Sequence, residues 1–225
     1  RKMKTKLLLI SVMLLQSFGA FCQQGRIPVD KKVKIGKLAN GLTYYIRQNA
    51  KPAERAELRL VVNAGSVLER EDQRGVAHFL EHMAFNGTKN FPKNELLNYL
   101  QKTGVRFGAD LNATTSFDFT LYMLPIPTSD AGILQNGYQV LRDWAGSLLL
   151  EQDEIDKERG IILEEKRMRQ NAGMRMFSAY VPDMLNNSKY SQRLPIGSEE
   201  IIKTAPRRAF TDFYKDWYRP NNMAV

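Results

Sequence analysis

Polar and apolar positions alternate along Ala56-Glu-Leu-Arg-Leu60-Val-Val62, which predicts a strand with one buried face. The same period runs through Phe117-Asp-Phe-Thr-Leu-Tyr-Met-Leu124 and predicts a second strand, ended by Pro125 and Pro127. Two shorter runs, Val33–Leu38 and Leu42–Arg47, flank Asn40-Gly41. That dipeptide marks a hairpin, because both residues tolerate positive φ. Elsewhere the period lengthens to that of a helix. One helix is expected from about Pro92 to Gly104. A longer one follows the capping residues Ser129 and Asp130, with Ile133, Leu134, Leu141, Trp144 and Leu148 as its apolar stripe. A third is expected over about 153–171 and a last one from Pro206 to Trp217. Residues 172–197 carry no clear period and are broken by Pro182 and Pro195; Ser198–Lys203 reads as a short capped turn. Met223-Ala-Val225 has the character of a strand just beginning. Strands and helices mixed without regular β-α-β alternation predict an α+β fold, a largely antiparallel mixed sheet packed against helices.

The stretch opened by Gly75 changes the picture. It reads His78-Phe-Leu-Glu81-His82, and it holds both histidines of the chain. On a helix, residues three and four apart share a face, so His78, Glu81 and His82 point one way. At about 100° per residue, Val76, Phe79, Leu80 and Met83 point nearly the other way. Such a helix buries one side and offers two imidazoles and a carboxylate from the other. Two neutral imidazoles at this spacing suit zinc. Glu81 between them sits where it can take a proton from water at the metal.

Composition narrows the function classes. The chain has 225 residues, 43% of them hydrophobic and 25% charged, which is globular composition. Its formal charge is +9, but Arg1, Lys2, Lys4 and Lys6 supply four of those charges. The remaining basic residues alternate with acids along helical stretches, with no basic stripe interleaved with aromatics. Nucleic acid is therefore excluded as a partner. Residues 1–22 read as a secretory signal peptide: a cationic start, the short apolar run Leu7–Leu15, and a more polar processing region ending at Cys22. The apolar run is too short for a comfortable membrane span, so the mature chain, 23–225, is expected to have none. With Cys22 removed it also has no cysteine, and needs no disulfide in an oxidising compartment. A periplasmic or secreted protein, of a Gram-negative bacterium, is the expectation.

A catalytic zinc takes three protein ligands and keeps an open position. There is no third histidine, so a carboxylate must complete the set. The candidates lie in Glu158-Arg-Gly-Ile-Ile-Leu-Glu164-Glu165. Glu158 and Glu165 are two helical turns apart and share a face with Ile161, Ile162 and Met168, whereas Glu164 points about 100° away. A carboxylate on a partly apolar face needs a partner, and a metal is one.

The run from His78 to Thr88, HFLEHMAFNGT, is similar to the start of the pitrilysin/insulinase peptidases, the M16 metallopeptidase family, and H-x-x-E-H is the inverzincin signature. The resemblance spans most of 33–225. It implies that the third ligand closes an E-R-x-x-x-x-x-E run, which here ends at Glu165, with Glu158 as the acid that supports the site; Glu158 stays the alternative ligand. It implies that Asn112 and Ala113, with Thr115, form an edge strand beside which an extended peptide pairs through its main chain. Gly87 and Thr88 correspond to the turn that closes the active helix. The expected protein is a zinc metalloendopeptidase, one Zn2+ per chain, with Glu81 as general base and peptides or unfolded segments as substrates. Its domain, 23–225, is the N-terminal catalytic part. The C-terminal half of the same enzyme or a homologous subunit is expected to cover the cleft and supply an Arg and a Tyr to the substrate. Two other readings fit the resemblance: a non-catalytic partner or structural subunit, and a narrow processing protease coupled to nutrient import.

Overall fold

The computed structural model describes residues 28–104 and 112–225. The leader read in residues 1–22 lies outside them. Residues 34–225 form one compact unit.

Its frame is a six-stranded sheet in the order β1-β2-β6-β3-β5-β4. The strands are β1 (Val33–Lys37), β2 (Thr43–Arg47), β3 (Arg55–Val62), β4 (Asn112–Thr115), β5 (Thr120–Pro127) and β6 (Met223–Ala224). The β1–β2 turn places Gly41 at φ +94, and the Asn40 carboxamide oxygen accepts from the N–H of Leu42. The β3–β5 ladder is the centre. It is antiparallel from Arg55↔Pro127 to Val62↔Thr120. Its alternation puts Leu60, Val62, Tyr122, Leu124 and Ile126 in the core, each at most 1% exposed. β6 is parallel to β2 and antiparallel to β3, so the last residues sit inside the sheet.

The described residues hold seven α-helices: α1 (Val76–Met83), α2 (Glu95–Lys102), α3 (Ala131–Gly146), α4 (Gln152–Arg169), α5 (Ala172–Met184), α6 (Glu199–Thr204) and α7 (Arg207–Trp217). α3 starts where the Asp130 carboxylate accepts from the N–H of Gly132, and it packs on β3 and β5. Its Trp144 is fully buried, stacks on Tyr122 and donates from Nε1 to the Ala84 carbonyl at 2.9 Å. That bond ties α3 to the end of α1. The apolar side of α1 is buried as its spacing predicts: Val76, Phe79, Leu80 and Met83 are at most 2% exposed. Burial of side chains like Phe79 and Leu80 contributes about 1.5–3 kcal/mol each, so this face anchors the helix. Phe79 meets Phe210 of α7 edge to face.

Three segments differ from the sequence reading. The strand expected at 117–124 is β5, shifted to 120–127, because Ser116–Phe119 is the turn from β4: the Ser116 N–H bonds to the Phe119 carbonyl at 2.8 Å. Pro125 and Pro127 lie within β5 rather than ending it. They are two apart, so their nitrogens face the same way, and the β4 register already ends at Met123, where a missing N–H costs no ladder bond. Residues 172–184, given no element, form α5. The Asn171 side chain caps its start by accepting from the N–H of Met174, and Pro182 falls in its last turn, where the Pro182 carbonyl accepts from Asn187 instead. Last, Ile161 and Met168 are 56% and 72% exposed, while Ile162 is buried. The inner stripe of α4 is Ile155, Glu158 and Ile162, the i, i+3, i+7 spacing of a helix packed along one line.

Candidate metal centre

α1 enters the site through a backbone contact. Gly75 precedes it at φ +108, and a Cβ on Gly197 would lie 2.3 Å from the Gly75 Cα, so the two glycines touch main chain to main chain. The Ser198 N–H bonds to the Arg74 carbonyl at 3.1 Å and fixes the same junction. The buried Glu69 carboxyl takes the free donors of the first turn: Oε2 accepts from Gly75 at 3.0 Å and Oε1 from Ala77 at 2.8 Å. Burial pushes this carboxyl up to about 8, against the pull of those two N–H groups and of Arg193. Arg193 is 3% exposed, donates to the Glu69 carbonyl and pairs with Glu71.

Held this way, α1 presents His78, Glu81 and His82 toward α4. Glu165 Oε2 lies 3.5 Å from His78 Nε2 and 3.4 Å from His82 Nε2. One ligand atom from each of His78, His82 and Glu165 falls within 4.8 Å of the others. Glu158 is one step behind. Its Oε1 is 2.8 Å from His82 Nδ1, and its Oε2 accepts from Asn86 Nδ2 at 2.5 Å. A carboxylate at Nδ1 holds a proton there, so that Nε2, facing Glu165, is the nitrogen left to a metal once its own proton is lost, the arrangement that orients metal-bound histidines. Arg169 pairs with Glu165 from one turn further along α4. Glu81 projects into the same space, and the Thr115 hydroxyl donates to its Oε2.

Without a metal, the carboxylates of the site hold a proton on His82. Burial, and the charge of His82 beside it, push His78 down to about 4, so its imidazole is neutral; its Nδ1 is buried and has no hydrogen-bond partner among the described residues. His82 moves the other way, up to about 9: burial opposes its charge, but the hydrogen bonds to Glu158 and Glu165 outweigh that. The bond from His82 holds Glu165 down at about 2 against the effect of burial, with help from His78 and Arg169. Burial raises Glu81, partly offset by the Thr115 bond. Two imidazoles, His78 already neutral and His82 once its Nε2 has given up its proton to the incoming ion, together with the ionised Glu165 carboxylate are the donors a zinc ion requires, so the residues fit the metal.

The cluster lines a cleft of about 520 Å³, together with Asn112, Ala113, Thr114 and Thr115 of β4. β4 is the last strand in the sheet order, and among the described residues only β5 pairs with it. Asn112 is exposed there and its side chain accepts from the Ala113 N–H. The structure thus brings His78, His82, Glu81, Glu158, Glu165, Asn112 and Ala113 to one cleft. Sequence reasoning missed Glu69, Asn86, Arg169 and the Thr115 contact. Arg169 had a signal in its i+4 spacing from Glu165. Glu69 had none, since an acid in a loop gives no hint that a helix start will cover it.

The sequence matches the family described as Insulinase (Peptidase family M16) over residues 44–197. The chain belongs to this family. It is 39% identical over 219 residues to the protein described as "Probable zinc protease PqqL" of Haemophilus influenzae, a match that covers 97% of this chain and 24% of that protein. A solved structure described as the first half of the periplasmic protease PqqL from Escherichia coli is 40% identical, with a TM-score of 0.85 over 89% of this chain and 43% of that one. Pitrilysin is 25% identical with a TM-score of 0.72, over 90% of this chain and 22% of that one. The chain therefore spans about a quarter of the length of the curated PqqL protein it matches.

Proposed function

We propose that this chain is the N-terminal catalytic region of a zinc-dependent metalloendopeptidase that cleaves peptides or unfolded segments. The observation that carries the proposal is the meeting of His78, His82 and Glu165, within 4.8 Å of one another, beside a sheet edge. His78, His82 and Glu165 would hold the metal, with Glu158 orienting His82. The distances support Glu165 over Glu158 as third ligand, because Glu158 is engaged at Nδ1, on the far side of the ring. When bound, zinc supplies Lewis acidity, which polarises the scissile carbonyl and acidifies water.

The chain's own groups do the rest. Glu81 accepts the proton of the attacking water as the C–O bond forms, and returns it to the amine as the C–N bond breaks. Its raised pKa suits a group that must both take and give a proton. Thr115 fixes which carboxyl oxygen faces the cleft. Asn112 and Ala113 would align an extended substrate by adding it to the β4 edge, which favours unfolded peptides over compact proteins. A second half covering the cleft would complete oxyanion stabilisation. The similarity to a protease described as periplasmic, together with the leader expected over 1–22, supports action in the periplasm.

The test is metal content and peptide hydrolysis of the full protein with Glu81→Gln. Zinc retained with hydrolysis lost is expected. Unchanged turnover would remove Glu81 from the mechanism.

A further inference from the structure

A second cavity, about 610 Å³, lies behind the C-terminal end of β4. It shares Thr115, Arg169, Pro195 and Ile196 with the metal cleft, so the two spaces adjoin. Thr115 is the residue that bonds Glu81, and the cavity therefore begins where the candidate base ends. Five cations line it: Arg74, Lys166, Arg169, Arg175 and Arg193. Glu69 is the one acid among the described lining residues, and both its oxygens are taken by the first turn of α1.

Three of the cations are committed. Arg169 pairs with Glu165, Arg193 with Glu71, and Lys166 donates to the Gly197 carbonyl. Arg74 and Arg175 have no side-chain hydrogen bond or ion pair among the described residues. Two guanidinium groups without partners among the described residues, in a cavity also lined by Phe117, Met174 and Phe177, are the chemistry that suits an anion carried on an organic chain. Guanidinium groups bind carboxylates through paired hydrogen bonds.

We propose that this cavity seats a carboxylate of the peptide substrate, and that Arg74 and Arg175 set a preference for an acidic group near the scissile bond. The proposal rests on the peptidase reading above. The two spaces adjoin at Thr115, beside Glu81, so the carboxylate belongs within a few residues of the scissile bond. It can come from an aspartate or glutamate side chain or from the peptide's own C-terminus.

The experiment measures binding of labelled short peptides to the full protein carrying Glu81→Gln, which prevents turnover. A single Glu is walked along an otherwise neutral sequence, each peptide is matched by its Gln twin, and both are made with a C-terminal acid and a C-terminal amide. The expected result is one register, or the free C-terminus, at which the carboxylate tightens binding about tenfold. Arg74→Gln with Arg175→Gln removes that gain and leaves the neutral peptides bound as before. Arg175→Glu turns the preference at the same register toward Lys. Equal binding of Glu and Gln peptides in every register and with either terminus overturns the cavity's role and leaves the peptidase reading standing. A gain that survives both Arg variants also overturns it. Failure of every peptide, neutral ones included, to bind overturns both readings.

Discussion

The two sides of the cleft treat their polar groups in opposite ways. On the α1–α4 side almost every group is tied down: His82 by Glu158, Glu158 by Asn86, Glu165 by Arg169, Glu81 by Thr115. In the adjoining basic cavity, Arg74 before α1 and Arg175 of α5 have no side-chain partner among the described residues, and β4 beside it has a ladder partner on only one side among them. Under the proposed function the difference reflects two tasks. Metal ligation and proton transfer fail when groups shift by about an ångström, and His82, Glu165 and Glu81 are each pinned by a second contact, while His78 is held by burial alone, its Nδ1 without a partner among the described residues. Peptide recognition needs groups whose partners arrive with the substrate.

The predictions try to break that contrast, starting with the pinned side. His78→Ala, His82→Ala and Glu165→Ala each remove a donor atom. Zinc affinity measured by chelator competition should fall by more than the roughly 100-fold that loss of an outer contact costs. Glu81→Gln keeps the shape and the Thr115 contact but cannot take a proton; hydrolysis by the full enzyme should drop at least ~10²-fold with zinc unchanged. Glu158→Ala leaves all three donors but frees the His82 ring. Its cost in zinc affinity should be about 10- to 100-fold, below that of Glu165→Ala. The reverse order would make Glu158 the third ligand.

A further effect is one of pH. His82 carries a proton below about 9, which its Nε2 must release before it can bind a metal. Zinc affinity should therefore rise with pH, by about tenfold per unit as neutral pH is crossed from below, with one proton released per zinc. Calorimetry in buffers of different ionisation enthalpy reads that proton. A flat profile between pH 6 and about 8 would mean that the Glu158 contact does not hold the ring as described.

Much of the pinned side could be read in the sequence. Helical spacing alone put His78, Glu81 and His82 on one face and Phe79 and Leu80 on the other, because both sets obey one rotation per residue. The two-turn spacing likewise singled out Glu158 and Glu165 on one helix. What spacing could not give is what meets that helix. The Gly75–Gly197 contact and the Glu69 cap join segments far apart in the chain, and no local pattern encodes them. Residues 117–119 misled for a related reason: Phe117 and Phe119 alternate like a strand, yet they form the β4–β5 turn, and Phe119 stays 39% exposed. α5 was hidden by Pro182, which terminates helices in general but here sits in a last turn closed by Asn186 and Asn187, both at φ +51. The basic cavity gathers residues from 69 to 197 and had no sequence signal at all.

The most direct test of the central claim, that His78, His82 and Glu165 hold one metal, is X-ray absorption at the zinc edge on the full protein loaded with one equivalent of zinc. Two imidazoles at about 2.0–2.1 Å with oxygen filling the remaining positions is the predicted first shell, and one imidazole fewer in His82→Ala. A shell without two imidazoles, or one that His82→Ala leaves unchanged, would contradict the account.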